Sequence, residues 1–184
     1  VRTLVTGGVR CGKSAHAEEL LAGHREVTYL ATGPQRDDAD WAARVRAHQQ
    51  RRPGSWRTVE TSDAADALRV AEGPVLLDCV GTWLTAQLDE LAAWDAPETA
   101  WVPELDRRVE DLVAAWSTSD GVAVTNEVGW GVVPEHRSGR IFADRLGLTN
   151  QRLAAASDRV VLVVAGQPLV VRDRGRAWQA TPPR

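Results

Sequence analysis

Gly7-Gly8-Val9-Arg10-Cys11-Gly12-Lys13-Ser14 holds the only lysine of a 184-residue chain whose other fixed cations are all arginines. An ammonium is a compact point charge that fits inside a cage of phosphate oxygens, where a guanidinium presents a wide planar fork. The spacing G-x-x-x-x-G-K-S is that of a phosphate-binding loop. Its glycines let backbone N–H groups turn inward, and the helix that follows aims its positive end at the anion. In that reading Gly7, Gly8, Val9, Arg10, Cys11 and Gly12 line a nucleotide's phosphates, Lys13 reaches the β- and γ-phosphates, and Ser14 holds Mg²⁺. A glycine-rich turn without a ligand is the plainer alternative. The flanks argue against it. Val1 to Thr6 reads as a short buried strand, and Ser14 to Ala22 as a helix with Leu20 and Leu21 facing inward. Strand, glycine turn and helix form the context the motif requires.

The length suits one domain with a full hydrophobic core. A formal net charge of −3 offers no basic stripe for nucleic acid. No apolar run approaches a membrane span, and a strand starting at residue 1 is read as leaving no room for a signal peptide. The two cysteines, Cys11 and Cys79, both fall beside the nucleotide site, a pattern that suits reduced thiols in a cytoplasmic protein better than a disulfide framework. A bridge between them under oxidation stays open.

Outward from the first unit, strand-like and helix-like segments alternate, predicting an α/β protein with a largely parallel sheet. Glu26 to Ala31 is the second strand. Asp40 to Gln50 reads as a polar helix ended by Arg51-Arg52-Pro53-Gly54. Trp56 to Glu60 is a short strand, Asp63 to Ala71 a helix, and Pro74 to Asp78 a central strand by its unbroken apolar run. Helix signals follow from Trp83 to Leu91. Ala92 to Pro103 reads as a linker marked by Pro97 and Pro103. Val102, Leu105, Val109, Leu112, Val113 and Trp116 recur at helical spacing. Gly121 to Asn126 and Arg159 to Ala165 are strands with a helix from Ser138 to Ser157 between them, and Pro168 to Arg172 is the last strand. A single domain is expected over 1–172, with a loose polar tail over 173–184.

Asp78 is the first acid at the C-terminal end of a buried strand, the edge where open α/β sheets bind ligands. Beside a phosphate loop it reads as the carboxylate that holds Mg²⁺; as a bland alternative it caps the next helix. Glu127, in Thr125-Asn126-Glu127-Val128-Gly129, repeats that logic. It is read either as a general base on an attacking hydroxyl or as the partner of an arginine in a structural turn. His48 stands among Arg44, Arg46, Arg51 and Arg52, which form either a solvated charged face or a phosphate-binding set around a nucleophilic imidazole. The other histidines have no convincing metal-ligand spacing. Most tryptophans fall at core-facing helical positions. Trp130, between Gly129 and Gly131, is the exception, free to stack on a planar ligand or to pack between subunits.

Several blocks taken together resemble the adenosylcobinamide kinase / adenosylcobinamide-phosphate guanylyltransferase family. They are Gly7 to Glu18, Ala42-Ala43-Arg44-Val45-Arg46-Ala47-His48, Arg52-Pro53, Trp56-Arg57-Thr58, Leu76-Leu77-Asp78-Cys79, Thr125 to Glu135, Asn150-Gln151-Arg152-Leu153-Ala154-Ala155 and Val163-Val164-Ala165-Gly166. The matches run in order over nearly the whole domain. The resemblance implies a RecA-like P-loop fold, with a mostly parallel sheet and helices on both faces, and a homotrimer. It also implies two reactions: ATP or GTP phosphorylates adenosylcobinamide, then GTP donates GMP to adenosylcobinamide phosphate, releasing pyrophosphate. His48 matches the position of the GMP-histidine intermediate. Thr32, Gly33, Pro34, Gln49, Gln50, Arg51, Arg52, Glu60 and Asp78 match further nucleotide contacts, with Glu60 suited to accept from guanine. Cys11 departs from the family, which usually has serine there. Another P-loop small-molecule kinase is the runner-up. A GTP-dependent switch is weaker, because an Asn-Lys-x-Asp guanine signature needs a second lysine.

Overall fold

The computed structural model describes residues 1–33 and 53–174. The polar helix predicted over Asp40 to Gln50, and the site residues Pro34, His48, Gln49, Gln50, Arg51 and Arg52, lie outside the described residues, as does the tail beyond Arg174.

Seven strands form one sheet: β1 (Arg2–Gly7), β2 (Thr28–Ala31), β3 (Arg57–Glu60), β4 (Val75–Asp78), β5 (Gly121–Val124), β6 (Arg159–Val164) and β7 (Gln167–Asp173). Their order is β3-β2-β4-β5-β1-β6-β7, and every neighbouring pair is parallel except β6 with β7. The described helices are α1 (Lys13–Leu21), α2 (Ala64–Val70), α3 (Val80–Glu90), α4 (Glu98–Thr118) and α5 (Arg137–Ala156).

Side chains alternate across each strand, so both faces of a central strand need cover. Val5, Tyr29, Leu76, Val122, Val124, Val161 and Val163 share a cluster with Ala17 and Leu21 of α1. Leu4, Leu30, Leu77 and Ala123 point the other way, into a cluster with Trp83, Leu84, Trp101, Leu112, Trp116 and Leu153 from the later helices. The predicted α/β architecture with helices on both faces is therefore the observed one. Leu21 is buried as expected, and Leu20 packs at the margin of the same cluster.

The linker expected over Ala92 to Pro103 is a correction. The connection ends at Pro97, and α4 starts at Glu98 with Pro103 inside it. A proline there lacks the N–H that would bond one turn back, which normally breaks a helix. Burial overrides the local cost: Trp101 is 1% exposed, its indole N–H donates to Ala96 O at 3.4 Å, and the Arg145 guanidinium lies 5.2 Å from its ring centroid. Arg137, at the start of α5, donates to the carbonyls of Ala93, Trp94 and Ala96 and pins the turn ahead of α4.

β6 and β7 are joined by the two residues Ala165 and Gly166, both at positive φ (49° and 77°), the geometry that matches the twist of a tight hairpin. The Gly166 N–H donates to Cys11 O at 2.8 Å, so this hairpin braces the phosphate loop.

Two polar contacts fasten the frame. Trp116 donates its buried indole N–H to Ser157 Oγ at 2.9 Å, and Ser157 donates onward to Leu153 O at 2.7 Å. Ser157→Ala leaves the indole donor without its acceptor, and denaturant unfolding is expected to show a loss of about 1–3 kcal/mol. At the base of β1, Asp158 accepts from the Arg2 backbone N–H and from its guanidinium at two points. These bonds hold the Asp158 carboxyl at about 2, below its ordinary value of 3.8. A depressed carboxylate pKa contributes stability that is complete above about pH 4 and is lost as pH falls through 2. Asp158→Asn is expected to flatten the stability profile between pH 4 and 2. The pair is partly exposed, so the change stays within about 1 kcal/mol.

Candidate active site

The parallel register brings the C-terminal ends of β2, β4, β5 and β1 to one edge: Ala31 pairs with Asp78, Asp78 with Val124, and Val124 with Val5. The phosphate loop leaves β1 at this edge. Gly7 has no space for a side chain, because a Cβ would lie 2.5 Å from Val163 O and 2.6 Å from Cys11 Sγ. Gly12 is the N-cap of α1 at φ 97°, a left-handed conformation, and a Cβ there would press on Gly166 Cα at 3.3 Å. With glycine as the cap and no acidic residue in the first turn, no side chain of the helix caps or neutralises the leading N–H end of α1, the arrangement that suits an anion. Lys13 Nζ donates to Gly8 O at 3.1 Å, curled over the loop it belongs to.

Glu127 joins this cradle. After β5 ends, the chain keeps pairing with β1: Thr125 N–H donates to Val5 O at 2.9 Å and Glu127 N–H to Gly7 O at 3.0 Å. Thr6 Oγ1 donates to Glu127 Oε2 at 3.3 Å, placing the carboxylate against the strand that feeds the loop. A clamp from α5 holds this stretch: Thr125 Oγ1 donates to Asn150 Oδ1 at 2.6 Å, and Asn150 Nδ2 donates to Asn126 O at 3.0 Å. Thr125 is fully buried. The conspicuous Asn150-Gln151-Arg152-Leu153 block thus starts with a residue that orients the carboxylate's loop.

Asp78 ends β4, with β5 between it and β1, so its strand lies about 10 Å across the sheet from the phosphate loop's strand. Tyr29 Oη donates to Asp78 Oδ2 at 3.1 Å. Tyr29 pairs with Leu76, two residues before Asp78, so the two sit diagonally on one face. Cys79 follows through a cis peptide. Burial pushes its thiol pKa up, and the neighbouring Asp78 charge adds to the effect, so it is a poor thiolate. Both cysteines are free thiols.

Thr32 is 1% exposed, and its hydroxyl is engaged within the protein, donating to Cys79 O at 2.7 Å beside Thr82 Oγ1 at 3.2 Å. Its role here is to tie the ends of β2 and β4. Gly33 follows it at the same edge. Glu60 is exposed at the end of the edge strand β3, four strands or roughly 19 Å across the sheet from β1. The fold thus sets the phosphate loop, with Lys13 and Ser14, and Glu127 at the C-terminal end of β1, puts Asp78 two strands across the sheet and leaves Glu60 on the edge strand β3.

Sequence reasoning passed over Thr6, Tyr29, Thr82 and Asn150. Tyr29 had a signal, since it is the chain's only tyrosine, two residues from the end of a strand. Thr6 had none, because its partner lies 121 residues away; Thr82 joins Thr32, 50 residues away, besides its local capping contacts with Cys79.

A glycine loop capping a helix, a curled lysine, and carboxylates just past β5 and at the end of β4 define a P-loop nucleotide-binding protein. A family model described as cobinamide kinase / cobinamide phosphate guanyltransferase matches residues 3–171. The bifunctional adenosylcobalamin biosynthesis proteins CobU of Salmonella typhimurium and of Escherichia coli are each 43% identical over 173 residues, covering 89% of this chain and 95% of theirs. CobP of Pseudomonas aeruginosa, described in the same words, is 35% identical over 94% of this chain and 98% of its own. The chain belongs to the cobinamide kinase / cobinamide phosphate guanyltransferase family. Among solved structures, an ATPase of a bacterial type III secretion system superposes with a TM-score of 0.54 at 12% identity, over 88% of this chain and half of its own, a likeness of fold alone.

The two glycines at the head of the loop are not equivalent. A Cβ on Gly8 meets nothing within 4 Å. Gly7→Ala is therefore expected to lower Tm by several degrees and abolish binding of a fluorescent nucleotide, whereas Gly8→Ala keeps the wild-type Tm.

Proposed function

We propose that the chain phosphorylates adenosylcobinamide at its aminopropanol hydroxyl, using the residues at this sheet edge, and then guanylylates the product. The attachment of Glu127 to β1, through Gly7 O and Thr6 Oγ1, beside the loop that carries Lys13 is the observation that supports the kinase half. With ATP or GTP in the cradle, Lys13 swings from Gly8 O onto the β- and γ-phosphates. The substrate hydroxyl oxygen attacks the γ-phosphorus, the bond to the β-bridging oxygen breaks, and the nucleoside diphosphate leaves with that electron pair. Glu127 takes the hydroxyl proton, its loop held in place by the Thr125–Asn150 clamp.

Mg²⁺ suits this donor set. Ser14 offers a hydroxyl and Asp78 a carboxylate, hard oxygen ligands of the kind Mg²⁺ takes alongside water and substrate phosphates. When bound it neutralises charge on the phosphates.

For the second reaction we assign His48 as the nucleophile, on the strength of its match to the family's motif. An imidazole nitrogen attacks the α-phosphorus of GTP, an N–P bond forms, and pyrophosphate leaves. A phosphate oxygen of adenosylcobinamide phosphate then displaces the imidazole, giving adenosylcobinamide-GDP. Gly33, Pro34, Gln49, Gln50, Arg51 and Arg52 complete the nucleotide contacts in this reading. Glu60 serves the guanine end, which its distance from Lys13 favours. A cytoplasmic homotrimer completes the proposal. The exposed apolar strip of Val164, Leu169 and Val171 on the β6–β7 hairpin supports self-association.

Incubation with GTP is expected to add one GMP to the protein by mass, acid-labile and located on His48. His48→Ala loses that adduct and guanylyl transfer while still phosphorylating adenosylcobinamide. Lys13→Ala is expected to lower kcat/KM of the kinase step by at least about 100-fold. Loss of both activities in folded His48→Ala protein counts against the histidine's assigned role.

A further inference from the structure

The segment between β5 and α5 is tied down at both ends and bare in the middle. Glu127 N–H anchors one end to Gly7 O at 3.0 Å. At the other end, Arg140 Nη1 donates to Pro134 O at 2.9 Å and Glu135 O at 2.6 Å. Between these anchors Gly129 takes φ 95°, a conformation side chains resist, and the chain then presents Trp130, Val132 and Val133 to water at 72%, 96% and 74% exposure. Apolar groups held out together on a pinned loop mark a contact surface. The patch sits close to the chemistry. Trp130 is three residues past Glu127, so its Cα lies at most about 11 Å from that of the residue bonded to the phosphate loop.

We infer that this loop is the docking surface for the corrin ring of cobinamide, with Trp130 stacked on the macrocycle and Val132 and Val133 against its alkyl periphery. The inference rests on the kinase reading above. The hydroxyl that is phosphorylated must reach the γ-phosphate over Lys13, and the ring is bound to that hydroxyl by a flexible arm, so the ring must settle beside the cradle. A broad, flat macrocycle edged with methyls and carboxamides needs an aromatic and aliphatic surface more than a deep pocket. The occupant's chemistry and the patch agree, and the loop's anchoring at Gly7 makes the surface continuous with the phosphate site. A second copy of the chain is the competing occupant.

Steady-state kinase assays on the full chain separate them, varying cobinamide and nucleotide in turn and paired with sedimentation velocity. Trp130→Ala is expected to raise the KM for cobinamide about tenfold, with kcat at saturation, nucleotide KM and sedimentation coefficient unchanged. Trp130→Phe, which keeps a stacking ring, recovers most of the loss. Val132→Ser/Val133→Ser raises the same KM and carries the test if Trp130→Ala does not fold. An unaltered cobinamide KM in both alterations overturns the inference, as does a smaller assembly, which makes the patch a subunit contact. Wild-type protein that fails to phosphorylate cobinamide sinks the kinase reading instead, whatever the variants do.

Discussion

Between Val163 O and Cys11 Sγ there is room for a glycine hydrogen at residue 7 and nothing larger. That contact lets the chain leave β1, turn back over its own strand end and enter α1 with the helix's leading N–H groups facing the edge of the sheet. β6 supplies one wall of the constraint, and the hairpin after it supplies the brace, through Gly166 N–H on Cys11 O. The antiparallel last strand therefore serves the site although it carries no reacting group. Its two-residue turn is what places Gly166 against the loop.

The sheet order then decides which acid does what. Because β5 intervenes between β1 and β4, Glu127 pairs with Gly7 while Asp78 stands a strand further off, held by Tyr29. Two carboxylates that look equivalent along the chain thus acquire different neighbours. Glu127 is oriented through Thr6 on one side and the Thr125–Asn150 clamp on the other, which ties α5 to the reacting edge. Cys79 and Thr32 close the gap between β4 and β2, so their hydroxyl and carbonyl groups serve the frame.

Much of the fold was legible because strand and helix leave different periodicities. The apolar run at Leu76-Leu77 read as a central strand and Val122-Ala123-Val124 as a further one, and both faces of each are covered. The stretch from Ala92 to Pro103 was misread because proline is a local signal, while the burial of Trp101 under Arg145 is a long-range one. Site residues divide the same way. Lys13, Ser14 and Gly12 were visible because a phosphate loop is contiguous, with every donor within eight residues. Thr6 and Asn150 were not, since their value lies wholly in partners more than twenty residues away.

The sequence by itself determined the phosphate cradle, the alternating architecture and the exposed character of Trp130, since each depends on neighbours in the chain and on simple sterics. Only the tertiary structure decided that Glu127 rather than Asp78 adjoins the cradle, that Glu60 stands at the opposite end of the edge, and that a loop bearing Trp130 is fastened to Gly7. Strand order and register create those relations, and no local pattern encodes which strand will lie next to which.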